Sequence, residues 1–196
     1  MFKYPGFLTS LGIILIFFSF SIVGLTFYPM LLAELGYQTS ALVKQSKKEV
    51  KPIDRQFGIV VPKIGANSRI IANVDPWKEW EYQQVLAKGI AHAKGTAYPG
   101  QPGNMFLFSH SSVNFYEAQR YNSIFYLLDK LNYGDKVFIY FKGEKYEYVV
   151  NGKKIVNPND VQYLKSNTDE KILTLMTCTP PGTSLKRLLV FGELIE

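Results

Sequence analysis

The chain has a single cysteine, Cys178, at the end of the apolar, β-branched run Thr174-Leu175-Met176-Thr177, and Arg187 follows nine positions later at the start of another such run. With no second cysteine to pair with, the thiol serves either packing or chemistry. Its surroundings argue for chemistry. Residues 171–177 and 187–191 read as strands, and Thr179-Pro180-Pro181-Gly182 between them reads as a turn. Paired as an antiparallel hairpin, the two strands set Cys178 and Arg187 face to face at its open end. A thiol at a strand terminus beside a guanidinium is reachable and biased toward thiolate, the nucleophilic form.

A nucleophilic thiol needs a base within hydrogen-bond reach, and the chain offers two histidines. His110 follows the apolar run 105–108 and leaves a strand end, as Cys178 does, which is where sites are built. His92 lies among small residues in Gly89-Ile90-Ala91-His92-Ala93. Position favours His110, and an ordinary structural role stays open for either. No cluster of His, Cys or closely spaced acids has metal-ligand spacing, so no metal or other cofactor is expected.

These residues need a scaffold and a place. Residues 4–33 carry no charge. At about 1.5 Å per residue, a helix over 7–27 is long enough for the roughly 30 Å hydrocarbon layer of a bilayer. The run exceeds the h-region of a cleaved signal peptide, about 7–15 residues, and no Ala-x-Ala pattern follows it, so 1–35 reads as a retained transmembrane anchor. Lys44, Lys47, Lys48 and Lys51 outnumber Lys3, and charge counting alone would put the body in the cytoplasm. Residues 36–56 form a basic connector with no steady apolar period, a tether or a poorly packed helix. The net charge of +6 belongs to the part beyond the anchor. Without a lysine/arginine block interleaved with aromatics it reads as a solvated surface, and no nucleic-acid partner is expected.

From residue 57 the chain is a series of short strands: 57–62, 69–74, 104–108, 137–141 and 145–150, each bounded by Gly, Pro or Asn, in addition to the two around Cys178. Lys142-Gly143-Glu144 reads as a tight hairpin turn. Helical signals are confined to 76–86 and 124–131. This all-β pattern with a few short helices implies a sandwich or closed barrel.

Thr-Leu-x-Thr-Cys followed by the spaced Arg-Leu-Leu-Val resembles the active-site hairpin of the sortases, bacterial cysteine transpeptidases. Val60-Val61-Pro62-Lys63-Ile64-Gly65, Leu86-Ala87-Lys88-Gly89-Ile90-Ala91-His92, Gly95-Thr96-Ala97-Tyr98-Pro99-Gly100 and Pro102-Gly103-Asn104 are similar to further landmarks of that family. The resemblance covers 57–195. It implies a closed eight-stranded β-barrel over 57–196 and a single-pass anchor holding the catalytic domain outside the cell membrane. The implied substrates are secreted proteins with a C-terminal sorting signal of Leu-Pro-x-Thr-Gly type, and the acceptor is an amine from a peptidoglycan precursor or a pilin lysine. By the same resemblance Cys178 attacks the Thr-Gly carbonyl, His110 protonates the leaving amine, and Arg187 holds substrate and oxyanion. Thr177 and Met176 would contact the peptide. That orientation overrides the lysine count.

The chain also departs from the family pattern. Ser109 stands where many sortases carry Gly before the histidine, and Ser111-Ser112 follows it. Asp75-Pro76-Trp77 is similar to the lid tripeptide of pilin-polymerising sortases but comes after two expected strands rather than before the barrel. No second apolar span follows Ile195. The spacing from cysteine to arginine, with Thr-Pro after the cysteine, fits class C, D or E better than class A. Two other readings stand beside the transpeptidase: a thiol hydrolase without transfer activity, and a non-catalytic anchored barrel that binds peptide or wall polymer.

Overall fold

The apolar run Phe-Gly-Ile-Val-Val forms β1 (Phe57–Val61), buried along its whole length, as expected of a strand with protein on both faces. In the computed structural model, which describes residues 5–42, 50–111, 124–164 and 168–195, seven more strands follow. They are β2 (Ala66–Val74), β3 (Ile90–Ala93), β4 (Gly103–Phe108), β5 (Lys136–Phe141), β6 (Glu144–Val156), β7 (Lys171–Thr179) and β8 (Lys186–Leu194). They close into a barrel in the order β1-β2-β3-β4-β7-β8-β6-β5, the eight-stranded closure that the resemblance implies.

Among the described residues two α-helices accompany the barrel, α1 (Pro5–Leu42) before it and α2 (Glu79–Leu86) between β2 and β3. β2 and β3 run parallel, a pairing that cannot be closed by a tight turn, and α2 is the crossover. The helix expected from 76 starts only at Glu79, because Asp75 Oδ1 accepts the Trp77 N–H at 3.0 Å and turns the chain first. The segment 124–131 forms turns and a single 3-10 turn at Leu128–Lys130. At the β5–β6 turn Lys142 and Gly143 both have positive φ, 52° and 88°, the pattern that matches a two-residue hairpin to strand twist.

Alternation along the strands builds two apolar layers. Inside the barrel Ile59, Met105, Leu107, Ile139, Leu173, Leu175 and Val190 form the main core. On the outer face of β4, β7 and β8, Phe106, Phe108 and Leu189 form a second core with Leu86 of α2, and Met176 packs against it. Each fully buried large apolar side chain contributes about 1.5–3 kcal/mol, so both faces of these three strands are fixed in register.

Helix α1 continues to Leu42, past residue 35, where the sequence suggested the anchor ends. Its side chains are described without a break only over 9–25. Among the described residues no helix is long and apolar enough to cross a membrane.

Candidate active site

Cys178 lies on β7 and Arg187 on β8, and His110 follows two residues after the end of β4. Register pairs Phe108 with Met176, Met176 with Leu189, and Cys178 with Arg187. Side chains two apart share a face, so Phe108, Met176 and Leu189 form one row across the sheet, and Cys178 and Arg187 the next. Continuing the β4–β7 register by two residues sets His110 beside Cys178, and the Ser109 N–H bond to the Met176 carbonyl at 3.2 Å carries that register past the end of β4. Imidazole, thiol and guanidinium thus lie in one row, the first just past the end of β4 and the others on β7 and β8. All three line a cavity of about 440 Å³ whose floor includes Phe106, Phe108, Met176 and Leu189.

Backbone carbonyls hold the guanidinium. Arg187 donates from Nη1 to the carbonyls of Ser184 at 3.0 Å and Lys186 at 3.2 Å. A guanidinium has five donors, so these contacts orient the group without using its whole fork. His110 is half-buried, and its Nε2 is shielded from solvent. Cys178 is half-buried and free of any disulfide.

Thr177 and Met176 face opposite ways. Met176 lines the cavity. Thr177 is buried, and its hydroxyl donates to the Ser109 carbonyl at 2.9 Å, tying β7 to the segment that carries His110.

The other histidine has a structural task. His92 is fully buried on β3 and outside the cavity lining. Nδ1 accepts the Asn73 N–H at 3.3 Å, which assigns the ring proton to Nε2, and Nε2 donates to the Ala97 carbonyl at 3.0 Å. Burial lowers its pKa below the ordinary 6.5, with the bond to Ala97 opposing the shift. The ring packs against Tyr98 in a tilted arrangement with centroids 4.7 Å apart and meets Phe57 edge-on at 5.7 Å. It pins β2 to the turn after β3.

Sequence reasoning passed over the α2 side of the cavity. Glu79, Tyr82, Gln83 and Leu86 line it together with Pro76 and Trp77. Their spacing of three, four and seven marks one helical face, a signal legible in the sequence, but its meeting with the cysteine row depends on the parallel crossover. Tyr82 packs edge-on against Phe108 at 5.9 Å. Burial raises its phenol above the ordinary 10, the Glu79 carboxylate adds to the rise and Arg187 opposes it, so the hydroxyl remains a donor at neutral pH. No group of three or more His, Cys, Asp or Glu side chains suited to a metal occurs among the described residues.

A thiol, an imidazole and an oriented guanidinium at the rim of a closed barrel are the parts of a cysteine-dependent acyl-transfer enzyme. Residues 59–195 match the family model described as the Sortase domain; the chain belongs to the sortase family and is a cysteine transpeptidase that acts on sorting signals. Sortase D of Bacillus subtilis (strain 168) is 26% identical over 163 residues, covering 81% of this chain and 74% of that protein. Sortase C-1 from Actinomyces oris superposes with a TM-score of 0.62 at 27% identity, over 81% of each chain. Sortase C of Clostridium perfringens, solved with its C-terminal cell wall sorting motif, gives 0.60 at 28% identity over 76% of this chain and 74% of that one.

Proposed function

We propose that this chain is a membrane-anchored sortase that cleaves a Leu-Pro-x-Thr-Gly-type signal on secreted proteins and passes the acyl group to an amine on the outer face of the cell membrane. The observation that carries the reading is the row of His110, just past the end of β4, Cys178 on β7 and Arg187 on β8. The Cys178 thiolate attacks the Thr-Gly carbonyl, the C–N bond breaks, and the leaving amine takes a proton from His110, a group able to give one up near neutral pH. The resulting thioester is then opened by the acceptor amine. Arg187, oriented by the carbonyls of Ser184 and Lys186, meets the oxyanion in the sheltered cavity, where one such donor supplies about 3–4 kcal/mol of barrier lowering. Met176 lines the peptide groove. Thr177 serves the substrate through position, because its hydroxyl is engaged on Ser109.

The uncharged run 4–33 supports the anchor. So do the apolar side chains of α1 that face outward all round, Phe17 70%, Phe18 64%, Phe20 71% and Leu25 72% exposed, since a helix apolar on every side belongs in a protein core or a bilayer. The kinship with a sortase C solved together with its sorting motif supports the substrate class. Peptide cleavage by full-length protein tests the assignment. Cys178→Ala should abolish it, while His110→Ala and Arg187→Ala should each lower kcat/KM by orders of magnitude in folded protein. Activity surviving in the cysteine variant would refute these roles.

A further inference from the structure

The cavity around Cys178 carries charge of both signs. His110 and Arg187 supply the basic side from the barrel rim, whereas Glu79 supplies a carboxylate from the first turn of α2. Tyr82, one turn along the same helix face, lines the cavity with Glu79, Cys178 and Arg187, so the carboxylate and the thiol open onto the same space.

The acids near the cavity differ in what they do. Glu81, the other acid in the first turn of α2, is paired with Lys78 at 3.6 Å and lies outside the lining. Asp160 is in the lining, but its Oδ2 accepts the Asn157 N–H at 2.8 Å and closes a loop turn. Glu79 enters no ion pair among the described residues. The same lining includes Trp77, which is 69% exposed, so the face of its ring is open to a ligand in the cavity. A carboxylate and an open indole lining one cavity can both act on an ammonium ion, the carboxylate by charge and the ring by its negative face.

We infer that Glu79 and Trp77 form the acceptor subsite and select a primary ammonium as the group that opens the Cys178 thioester. This rests on the transpeptidase roles of Cys178 and His110 proposed for this chain. After the first half-reaction His110 has given its proton to the departing amine and is neutral. The ammonium held at Glu79 loses one proton to solvent. Its nitrogen forms the new C–N bond, the C–S bond breaks with the electron pair leaving on sulfur, and the second proton passes to His110. Thiolate and imidazolium are restored, and the atoms balance as thioester plus ammonium giving amide, thiolate, imidazolium and one proton to solvent.

The test uses the full-length protein in detergent micelles, acylated by a sorting-signal peptide, with two acceptors: Nα-acetyl-lysine amide, whose side chain is cationic, and hydroxylamine, which is neutral at about pH 7.5. The quantity read is acceptor selectivity, amide formed over hydroxamate formed at equal acceptor concentration. Glu79 is exposed, so Glu79→Gln should lower it about twofold, the scale of one solvent-exposed ion pair. Glu79→Lys should lower it further, Trp77→Ala should lower it, and Glu81→Gln should hold it. In wild-type protein the selectivity should also fall as salt rises from about 50 to about 500 mM. Selectivity that is unchanged in Glu79→Gln, or flat with salt, would overturn the inference while leaving the acyl-enzyme reading standing. If no thioester forms on wild-type protein with any sorting peptide, the transpeptidase roles fail and this inference fails with them.

Discussion

Replacing Thr177 by Val separates a residue that touches substrate from one that holds the site together. The two side chains have nearly the same shape, so the change removes one hydroxyl and little else. That hydroxyl is buried and donates to the Ser109 carbonyl at 2.9 Å, and its loss leaves a buried acceptor without this partner, at a cost of about 1–3 kcal/mol. At about 2 kcal/mol the melting temperature of a domain this size falls by about 6 °C. The bond links β7, which carries Cys178, to the residue before His110, so the imidazole should drift relative to the thiol. Misplacement by about 1 Å costs up to about a hundredfold in rate. We expect Thr177→Val to lower Tm and kcat together with KM for the sorting peptide little changed, and Thr177→Ser to restore both. Thermal unfolding and steady-state peptide cleavage are sufficient assays. A variant with unchanged Tm and a raised KM would refute this reasoning, because it would mean that the hydroxyl contacts substrate.

Four further outcomes follow from the same geometry. Arg187→Lys should recover only a small part of the activity lost in Arg187→Ala, since a point ammonium cannot reproduce the planar fork; full recovery in the cleavage assay would contradict the oriented guanidinium. The buried His92 binds its proton less readily when folded than unfolded, so its contribution to stability is complete above about pH 6.5 and is lost as pH falls from there toward the depressed folded value. The stability difference between wild type and His92→Asn, from urea unfolding, should therefore shrink between about pH 7.5 and about pH 5.5, and a constant difference would count against it. Ser109 Oγ is buried with no hydrogen-bond partner among the described residues, so Ser109→Ala should hold or raise Tm, by up to about 1 kcal/mol of added stability; a loss above that would show a partner. Full-length protein should sediment with membranes, with its body open to protease added outside intact cells, and a protected body would reverse the proposed orientation.

The hairpin around Cys178 was legible because its turn residues and two apolar runs are contiguous in the chain, and the register pairing Cys178 with Arg187 follows from that local spacing. β3 was not read as a strand, since Ile90–Ala93 is only four residues long, two of them alanines, and owes its state to pairing with β2 and β4. β6 runs on to Val156 beyond the expected end at 150, through a register shift between Val150 and Gly152. Asn151-Gly152-Lys153-Lys154 reads locally as a turn, and only the partner strand β8 overrides it. The parallel pairing of β4 with β7 brings His110 to Cys178 across a long stretch of chain, and no local pattern encodes it. The family resemblance supplied that partnership. For the same reason His92 could not be dismissed from sequence: its bonds to Asn73 and Ala97 exist only once β2 and β3 are adjacent.

The central claim is that Cys178 forms a thioester that an amine resolves. Intact-mass spectrometry of full-length protein mixed with a Leu-Pro-x-Thr-Gly-type peptide tests it most directly. The protein should gain the mass of the peptide up to threonine, with the label on the fragment containing Cys178, and adding an amine should return the enzyme to its original mass as a new amide appears. No mass gain in folded protein whose thiol still reacts, or a gain that persists in Cys178→Ala, would contradict the account.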